Sequence, residues 1–456
     1  MNKFFKKYNL SVSSAAISKL SRLTVNLQGA DENTIVFYRL ADSDEAFNKF
    51  LNYKKNTKPG LIILNREIEH DIGTEYVVVE DFTDIQKDLC DYLYPDSNNI
   101  KIIGVTGTNG KSSVVHLCQK ILNSIGEKAF SIGTVGVYSD EKEIAVGVGT
   151  TTPSYIDLRR ILHENGDYKY ACIELSSHAL IQKRIGELKI EVIGWTNFSQ
   201  DHLDYHSNME EYFEAKLLIQ DVSNNKLIIS NGEFELENEL VKRGKEFEVA
   251  TEITAYDGDD CFRLSYNKKN LSLAKALCEK LLGKTVGLPS GLTLPKGRYN
   301  TYHFNKSIFV VDYAHSPDAL YNVLKETAKA FSGYNIIALF GCGGDRDRDK
   351  RPKMLDACLE FCHSVIVTTD NPRTEAPEAI IDDILAEREF EEDKVVVIVS
   401  RKEAIRKSIC DYRDQTVVVI AGKGHEEYQD IGGEKHFFSD TLEVLNGIGR
   451  LENETK

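Results

Sequence analysis

No apolar run in this chain approaches the roughly 18–20 residues that a membrane-crossing helix requires. The basic start, Met1-Asn2-Lys3-Phe4-Phe5-Lys6-Lys7, lacks the long apolar stretch of a secretory signal. Basic residues are in deficit as well: 56 Lys and Arg against 71 Asp and Glu leave a net charge of −15. Nucleic-acid binding needs a broad basic surface, so no nucleic-acid partner is expected. The deficit does not exclude small anionic substrates, because a few local cations and backbone N–H groups hold a phosphate inside an acidic protein. Cysteines, nine in number, are odd and scattered, which reads as reduced thiols of a cytoplasmic protein. The nearest thing to a metal cluster is Cys358-x-x-x-Cys362-His363, on a predicted helix whose face also carries Leu355 and Leu359. Its cysteines are expected in a core. There is no internal repeat and no low-complexity segment, and the mostly acidic Glu387–Asp393 stretch reads as a solvated loop.

What is present suits a globular enzyme. Apolar residues make up 41%, too many for a disordered chain, and 456 residues at roughly 150 per domain suggest about three domains. Residues 1–97 mix short apolar runs (34–38, 60–64, 76–79) with polar turns, as a small α/β domain does. Their strand order is not readable. Pro95-Asp96-Ser97-Asn98-Asn99 is a cluster of turn formers and reads as a linker. A central domain is assigned to 98–298 and a C-terminal domain to 299–456. In the latter, apolar strands at 308–311, 335–340, 364–368, 394–399 and 416–420 alternate with helix-length amphipathic segments, which signals a parallel sheet. Four of these strands run into charged or Gly-rich loops: Asp312-Tyr313-Ala314-His315, Gly341-Cys342-Gly343-Gly344-Asp345-Arg346, Asp370-Asn371-Pro372-Arg373, and Gly422-Lys423-Gly424-His425-Glu426. Open α/β sheets bind ligands at the carboxyl ends of their strands, so four such loops at one edge make a site.

A buried-strand run, Ile100–Val105, enters Gly104-Val105-Thr106-Gly107-Thr108-Asn109-Gly110-Lys111-Ser112-Ser113 and then a helix to about Leu122. Glycines let backbone N–H groups converge on phosphate oxygens, and the helix N-terminus adds its dipole. Lys111 suits the β- and γ-phosphates and the Ser112 hydroxyl suits Mg²⁺. The first glycine of the usual pattern stands one step early, at Gly104. The expected ligand is ATP or GTP.

Around this loop stand Thr150-Thr151-Thr152-Pro153, Ile173-Glu174-Leu175-Ser176-Ser177-His178, the run Asn197-Phe198-Ser199-Gln200-Asp201-His202-Leu203-Asp204-Tyr205-His206, and Glu211-Tyr212-Phe213-Glu214-Ala215-Lys216. Together with the C-terminal loops, these resemble the Mur ligases, ATP-dependent amino-acid ligases of peptidoglycan precursor synthesis, over about residues 100–430. The pattern is most similar to the members that add the third peptide residue. The resemblance implies an α/β protein of three domains: a small UDP-sugar-binding domain, a P-loop ATPase-like parallel-sheet domain, and a Rossmann-like amino-acid-binding domain. It implies that Gly107, Thr108, Asn109, Gly110, Lys111, Ser112 and Ser113 hold ATP, with Asn267 and Asn270 near adenine and Arg298, Asp312 and His315 at the hinge and C-terminal contacts. Glu174 and Ser112 would hold one Mg²⁺, and His202 and a carbamylated Lys216 a second. Lys111, Lys216 and His202 would be catalytic. Taken alone, Glu174 reads equally as a helix cap, His202 as a hydrogen-bonded loop histidine, and Lys216 as one helix lysine among many. Thr151, Thr152, Ser176, Gln182 and Arg184 would meet the UDP-N-acetylmuramoyl-dipeptide, whose carboxylates and pyrophosphate suit hydroxyl, amide and guanidinium donors.

The implied chemistry phosphorylates the D-glutamyl side-chain carboxylate and lets an amine displace the phosphate, with closure of the C-terminal domain excluding water. The amine is expected to be meso-diaminopimelate. An Arg fork binds a carboxylate bidentately and repels the terminal ammonium of lysine, so Arg373 and Arg346 select the diamino acid bearing a second carboxylate. Asp370, Asn371, Pro372, Gly422 and Glu426 would complete that site. The alternating charges of Asp345–Lys353 otherwise read as a solvated loop. A monomer without membrane attachment is expected.

Several features depart from the pattern. Residues 1–97 lack the Asp-Ser-Arg segment usual for uridine binding, Asn300 stands where Gly-Arg-x-Glu has its Glu, and Leu264 replaces a Gly before the asparagines. The stretch between Lys216 and Lys296 is short, which suggests trimmed strands. Rival readings are ligation of L-lysine or another diamino acid, a murein-peptide recycling ligase, a folylpolyglutamate synthetase, and a non-catalytic nucleotide-binding protein of the same fold. Folate enzymes are not expected to carry the Asp-Asn-Pro-Arg loop, and the presence of Lys111, Ser112, Glu174, His202 and Lys216 argues against a non-catalytic protein.

Overall fold

Mostly apolar segments rich in β-branched and aromatic residues, such as Thr-Ile-Val-Phe-Tyr and Leu-Ile-Ile-Leu, suit strands covered on both faces. In the computed structural model they form the middle of the first sheet. The structure describes residues 1–140, 142–145, 149–202, 205–386, 388–391, 393–412 and 414–454. Leu203 and Asp204 of the histidine-rich run, and Glu387 and Glu392 of the acidic stretch, lie outside the described residues; Glu389, Glu391 and Asp393 are exposed.

The first sheet comprises β1 (Arg22–Thr24), β2 (Thr34–Tyr38), β3 (Leu61–Leu64) and β4 (Tyr76–Val78), parallel throughout and in sequence order. Successive side chains alternate between its faces. Leu23, Ile35, Phe37, Leu61 and Ile63 pack on one side, and Val36, Ile62, Leu64 and Phe50 on the other. The 95–99 segment is not a loose linker. Pro95–Asn98 forms a 3-10 turn in which Ser97 is buried, its hydroxyl accepting from Nε of buried Arg159, whose Nη2 donates to Asp91. Arg159 belongs to helix Tyr155–Glu164, and Ile156 of that helix joins the core of the first sheet.

The second sheet runs β12-β11-β10-β5-β9-β6-β7-β8, with β5 (Lys101–Thr106), β6 (Ala129–Gly133), β7 (Gly136–Ser139), β8 (Lys142–Ala145), β9 (Tyr170–Glu174), β10 (Ile190–Trp195), β11 (Ile228–Ser230) and β12 (Phe247–Val249). It is parallel from β12 to β6 but ends in two antiparallel strands, β7 and β8. The reversal comes after Gly133, and the six strands from β12 to β6 are the parallel sheet expected of this domain.

The third sheet has β13 (Asn300–Phe304), β14 (Ser307–Asp312), β15 (Asn335–Phe340), β16 (Ser364–Val367), β17 (Val395–Val397) and β18 (Thr416–Ala421), ordered β13-β14-β18-β15-β16-β17. Only β13 is antiparallel to its neighbour. A hairpin of β19 (Tyr428–Ile431) and β20 (Glu434–Phe437) follows. Cys358 and Cys362 are buried thiols, and His363 Nδ1 accepts from the Ile336 N–H, so this group serves the core. The Asp345–Lys353 segment is only partly solvated. Arg351 is fully buried against Glu375 and Asp383.

The chain divides into two compact units. One comprises 1–111, 118–249 and 277–285, with the first two sheets; the other comprises 112–117, 250–276 and 286–456, with the third. No helix among the described residues is long and apolar enough to cross a membrane.

Candidate active site

The phosphate loop follows β5. Gly104 is not one of its phosphate-facing residues: a Cβ there would stand 2.8 and 2.9 Å from methyls of Ile190 and Leu175, so this glycine serves strand packing. The glycines that shape the loop are Gly107 and Gly110, at φ 140° and 84°, where side chains are strained. Gly107 also admits Thr196, whose Oγ1 would lie 1.9 Å from an added Cβ. The end of β10 scaffolds the loop. Thr196 Oγ1 and Asn197 Nδ2 donate to the Asn109 carbonyl, and Asn197 Oδ1 accepts from the Asn109 N–H at 2.9 Å. Thr108 Oγ1 accepts from the Ser199 N–H at 3.1 Å. Helix Lys111–Ser124 then begins with no side-chain cap on its N-terminus, the arrangement that receives an anion, and Ser112 and Ser113 are buried in its first turn.

Two lysines converge on one carbonyl. Lys111 Nζ donates to the oxygens of Gly107 and Thr108, at 2.9 and 2.7 Å, and Lys216 Nζ donates to Gly107 O at 2.8 Å. Lys216 comes from helix Met209–Leu217, capped by Asn208 Oδ1 on the Glu211 N–H, and is 1% exposed. Burial, and then the charge of Lys111, push its pKa well below that of an ordinary lysine, against the opposing pull of Asp201. Its amine is thus driven toward the neutral form.

Glu174 ends β9, buried, with Oε1 accepting from the Thr134 N–H at 2.9 Å and Oε2 lying 3.2 Å from the Thr134 hydroxyl. That hydroxyl is also 3.1 Å from Thr151 Oγ1. Thr152 is wholly buried, its hydroxyl donating to Glu174 O and accepting from the Ser176 N–H, while Ser176 Oγ caps the next helix at Ala179. These two hydroxyls are already engaged inside the protein. Arg184 donates to Thr152 O at 2.7 Å and to Gln182 Oε1. Gln182 and Arg184 line a cavity of about 1500 Å³, together with Arg22, Arg39, Lys87 and Arg160. His202 adopts φ 55°, with Nε2 3.6 Å from Asp201 Oδ2 and its ring 5.2 Å from that of His178.

In the second unit, Asn267 and Asn270 are buried on helix Ser265–Leu282, and Asn267 Nδ2 donates to Cys261 O. Leu264 tolerates the loss of glycine because its φ is −74°. Arg298 stacks over the Tyr313 ring at 4.8 Å. Asp312 accepts from the Tyr299 and Ala314 N–H groups; burial raises its pKa and Arg298 opposes the rise. His315 Nδ1 is 2.8 Å from Tyr313 O. Asn300 accepts from the Gly297 N–H and donates to Leu294 O and Pro295 O, so the residue in place of glutamate knits this loop together.

The loops after β15, β16 and β18 meet. A Cβ on Gly343 would lie 2.9 Å from Arg373 Nη1 and 3.7 Å from Arg346 Cγ, so both arginines flank that glycine. Arg373 takes φ 53°, and its Nη1 donates to Gly344 O at 2.6 Å. Pro372 is buried, its carbonyl tight against Gly344. Asn371 Nδ2 donates to Glu426 Oε2 at 3.0 Å, and Gly422 passes directly against the Asp370 carboxylate. Lys423, fully buried, reaches Asp370, Asn371 and Glu426 together. Thr134, Asn197 and Lys423 were not among the residues singled out from sequence. Asn197 and Lys423 lie inside motifs that were, whereas nothing local marks Thr134.

Ser112 and Glu174 each carry hard oxygen atoms of the kind that Mg²⁺ prefers. Among the described residues no group of three or more His, Cys, Asp or Glu side chains is placed to hold a metal ion. A magnesium ion that takes its remaining ligands from nucleotide phosphates and water needs no such group.

A phosphate loop on which two lysines converge, and a loop cluster that sets arginines beside an acid–amide group, are the parts of a nucleotide-dependent ligase. The Mur ligase middle domain matches residues 105–279, and the Mur ligase glutamate ligase domain matches residues 297–424. The chain belongs to the Mur ligase family. It is 37% identical, over 82% of its length and 83% of the relative's, to the UDP-N-acetylmuramoyl-L-alanyl-D-glutamate–2,6-diaminopimelate ligase of Aquifex aeolicus (strain VF5). With the enzyme of the same name from Leptospira borgpetersenii serovar Hardjo-bovis (strain L550) it shares 34% identity over 86% and 87% of the two chains. A solved structure of a ligase of that name superposes with a TM-score of 0.60 at 27% identity, covering 98% of this chain and 99% of the other.

Proposed function

We propose that this protein joins meso-diaminopimelate to the D-glutamyl side-chain carboxylate of UDP-N-acetylmuramoyl-L-alanyl-D-glutamate, consuming ATP, in peptidoglycan precursor synthesis. The observation that carries the choice of amine is the loop cluster of the third sheet. Arg346 and Arg373 flank Gly343, and beside them stands the Asn371–Glu426 pair. A carboxylate suits the arginines and an ammonium suits Glu426, so one diamino acid with a carboxylate at each end satisfies both.

In this reading residues 1–97 bind the UDP-sugar, 98–298 the ATP, and 299–456 the amino acid. The cavity lined by Arg22, Arg39, Lys87, Arg160, Gln182 and Arg184 offers cations for a pyrophosphate, with Phe37, Phe82 and Tyr155 at its walls for a base. Gly107–Ser113 cradle the triphosphate, and Asn267, Asn270, Arg298, Asp312 and His315 serve the nucleotide. ATP phosphorylates the glutamyl carboxylate, forming an acyl phosphate and ADP. The neutral amine of the diamino acid attacks that carbonyl, and phosphate leaves with the bonding electrons while the nitrogen loses a proton. Lys111 neutralises charge on the transferring phosphoryl group and holds it in line. Mg²⁺ ions would be held through Ser112, Glu174, His202 and a carbamylated Lys216, and would supply further charge neutralisation. Carbamylation requires a free amine, and the depressed pKa of Lys216 favours that form. Free cysteines, eight of the nine buried, suit a cytoplasmic enzyme.

The test is ADP release across a panel of amines. Release that needs the UDP-muramoyl-dipeptide and runs far faster with meso-diaminopimelate than with L-lysine is the expected result. Equal rates with the two amines refute the selectivity, and ADP release indifferent to the muramoyl substrate refutes the reaction.

A further inference from the structure

The Gly422-Lys423-Gly424 turn leaves β18 with φ of 118° and 54° at its two glycines, and it sends the Lys423 side chain inward to 0% exposure. An ammonium has three N–H donors. Those of Lys423 find three acceptors: Asn371 Oδ1 at 2.9 Å, Glu426 Oε2 at 3.3 Å and Asp370 Oδ1 at 3.5 Å. All three belong to the loop cluster assigned to the incoming amine. No face of the ammonium remains to touch a ligand.

The consequence is greatest for Asn371. Its Oδ1 accepts both from Lys423 and from the Asp430 N–H at 3.0 Å, and its Nδ2 donates to Glu426 Oε2. Rotating the amide by half a turn would set its NH₂ against two donors and its oxygen against a carboxylate. Lys423 therefore fixes the orientation of Asn371. It also draws one oxygen of Glu426 inward, while Glu426, at 20% exposure, stays the more open of the two carboxylates beside it. Without Lys423, Asp370 and Glu426 would stand near each other with no ammonium between them.

We propose that Lys423 is a positioning residue of the amine site: it locks Asn371 and Glu426 into the one arrangement that receives the ammonium group of the incoming diamino acid. This rests on the function proposed above, and wild-type kinetics separate the two. If the unaltered protein shows no diaminopimelate-dependent ADP release, the functional reading has failed; the variants below address Lys423 only where that activity is present.

Lys423→Met should raise the KM for meso-diaminopimelate at least about tenfold, the scale expected when a buried charge loses its partner. The KM values for ATP and for the UDP-muramoyl-dipeptide should stay within about twofold. A merely structural lysine would shift all three KM values and kcat together, and that result, or an unchanged KM for diaminopimelate, overturns the proposal. If Lys423→Met does not fold, the same change made together with changes at both partners gives the readout. Because Lys423 acts through Asn371 as well as Glu426, adding Lys423→Met to an Asn371→Ala/Glu426→Gln background should leave the KM for meso-diaminopimelate within about twofold. A further multiplicative rise in that KM overturns the proposal.

Discussion

Gly344 is the tightest point beneath the Asp370–Arg373 loop. Its N–H donates to Asn371 O at 2.9 Å, and its own carbonyl accepts from Arg373 Nη1 at 2.6 Å. A Cβ added there would stand 1.9 Å from Pro372 O, whereas real Cβ atoms keep at least 3.0 Å from such an atom. In Gly344→Ala the Pro372 carbonyl must therefore retreat by 3.0 − 1.9 = 1.1 Å, taking the peptide between Asn371 and Arg373 with it. Displacements of about 1 Å in a binding constellation cost roughly 100-fold, or about 2.7 kcal/mol in the barrier. The variant should lose about that factor in kcat/KM for meso-diaminopimelate and keep the KM for ATP. Gly287→Ala is the control, because no atom lies within 4 Å of its added carbon and its φ is not positive. Steady-state ADP release on both variants decides the matter. A Gly344→Ala enzyme within about threefold of wild type would show that the loop yields freely and that its geometry does not set amine binding.

Three other outcomes follow from buried charges. Arg401 and Asp440, both wholly buried, pair through two 2.7 Å contacts; Asp440→Asn strands the guanidinium and should cost about 3–5 kcal/mol in urea unfolding, and a loss below about 1 kcal/mol contradicts this. The Arg351 guanidinium, with the Asp345 N–H, holds the Glu375 carboxyl down at about 2, so the unfolded chain takes up this proton first as pH falls. Stability present above pH 4.5 is then lost between 4.5 and about 2, and an identical acid limb in Glu375→Gln refutes the linkage. Lys216→Ala should lower ligation about 100-fold or more, with partial rescue by chloride or short carboxylates; full activity without them dismisses a role for this lysine.

The strands of the third sheet were legible because parallel strands covered on both faces read as unbroken apolar runs, as Asn335–Phe340 and Thr416–Ala421 do. Where burial is one-sided or absent the signal fades. β20 is Glu-Lys-His-Phe, exposed at every position, and β1 has three residues. The burial of Ser97 was not legible because its partner, Arg159, lies 62 residues away, and turn-forming composition is blind to what packs on the turn. The site shows the same division. Loop glycines and the lysines beside them stand out by spacing, but the burial of Lys216 and the support of Glu174 by Thr134 are tertiary facts. Gly104 stood out by spacing and misled, since its missing side chain serves Ile190 and Leu175 rather than a phosphate.

The charge of −15 poses a problem for an enzyme whose proposed substrates are anions, and the hydrogen-bond partners of its cations show how it is met. The structural arginines end on carboxylates: Arg159 on Asp91, Arg351 on Glu375 and Asp383, Arg401 on Asp440, and Arg243 on Glu210, Glu214 and Glu239. Arg184 and Arg373, assigned to substrates, rest instead on neutral oxygens. Among the described residues the hydrogen bonds of Arg184 go to Thr152 O and Gln182 Oε1, and that of the Arg373 side chain to Gly344 O; Lys111 reaches carbonyls of the phosphate loop. A carbonyl aims a cation without cancelling its charge, so the field remains for a carboxylate or phosphate. By this criterion Lys423, which contacts two carboxylates, orients its neighbours and does not itself bind substrate, although it stands in the amine loop. That is why its effect should be read in the KM of one substrate and not in the chemistry of phosphoryl transfer.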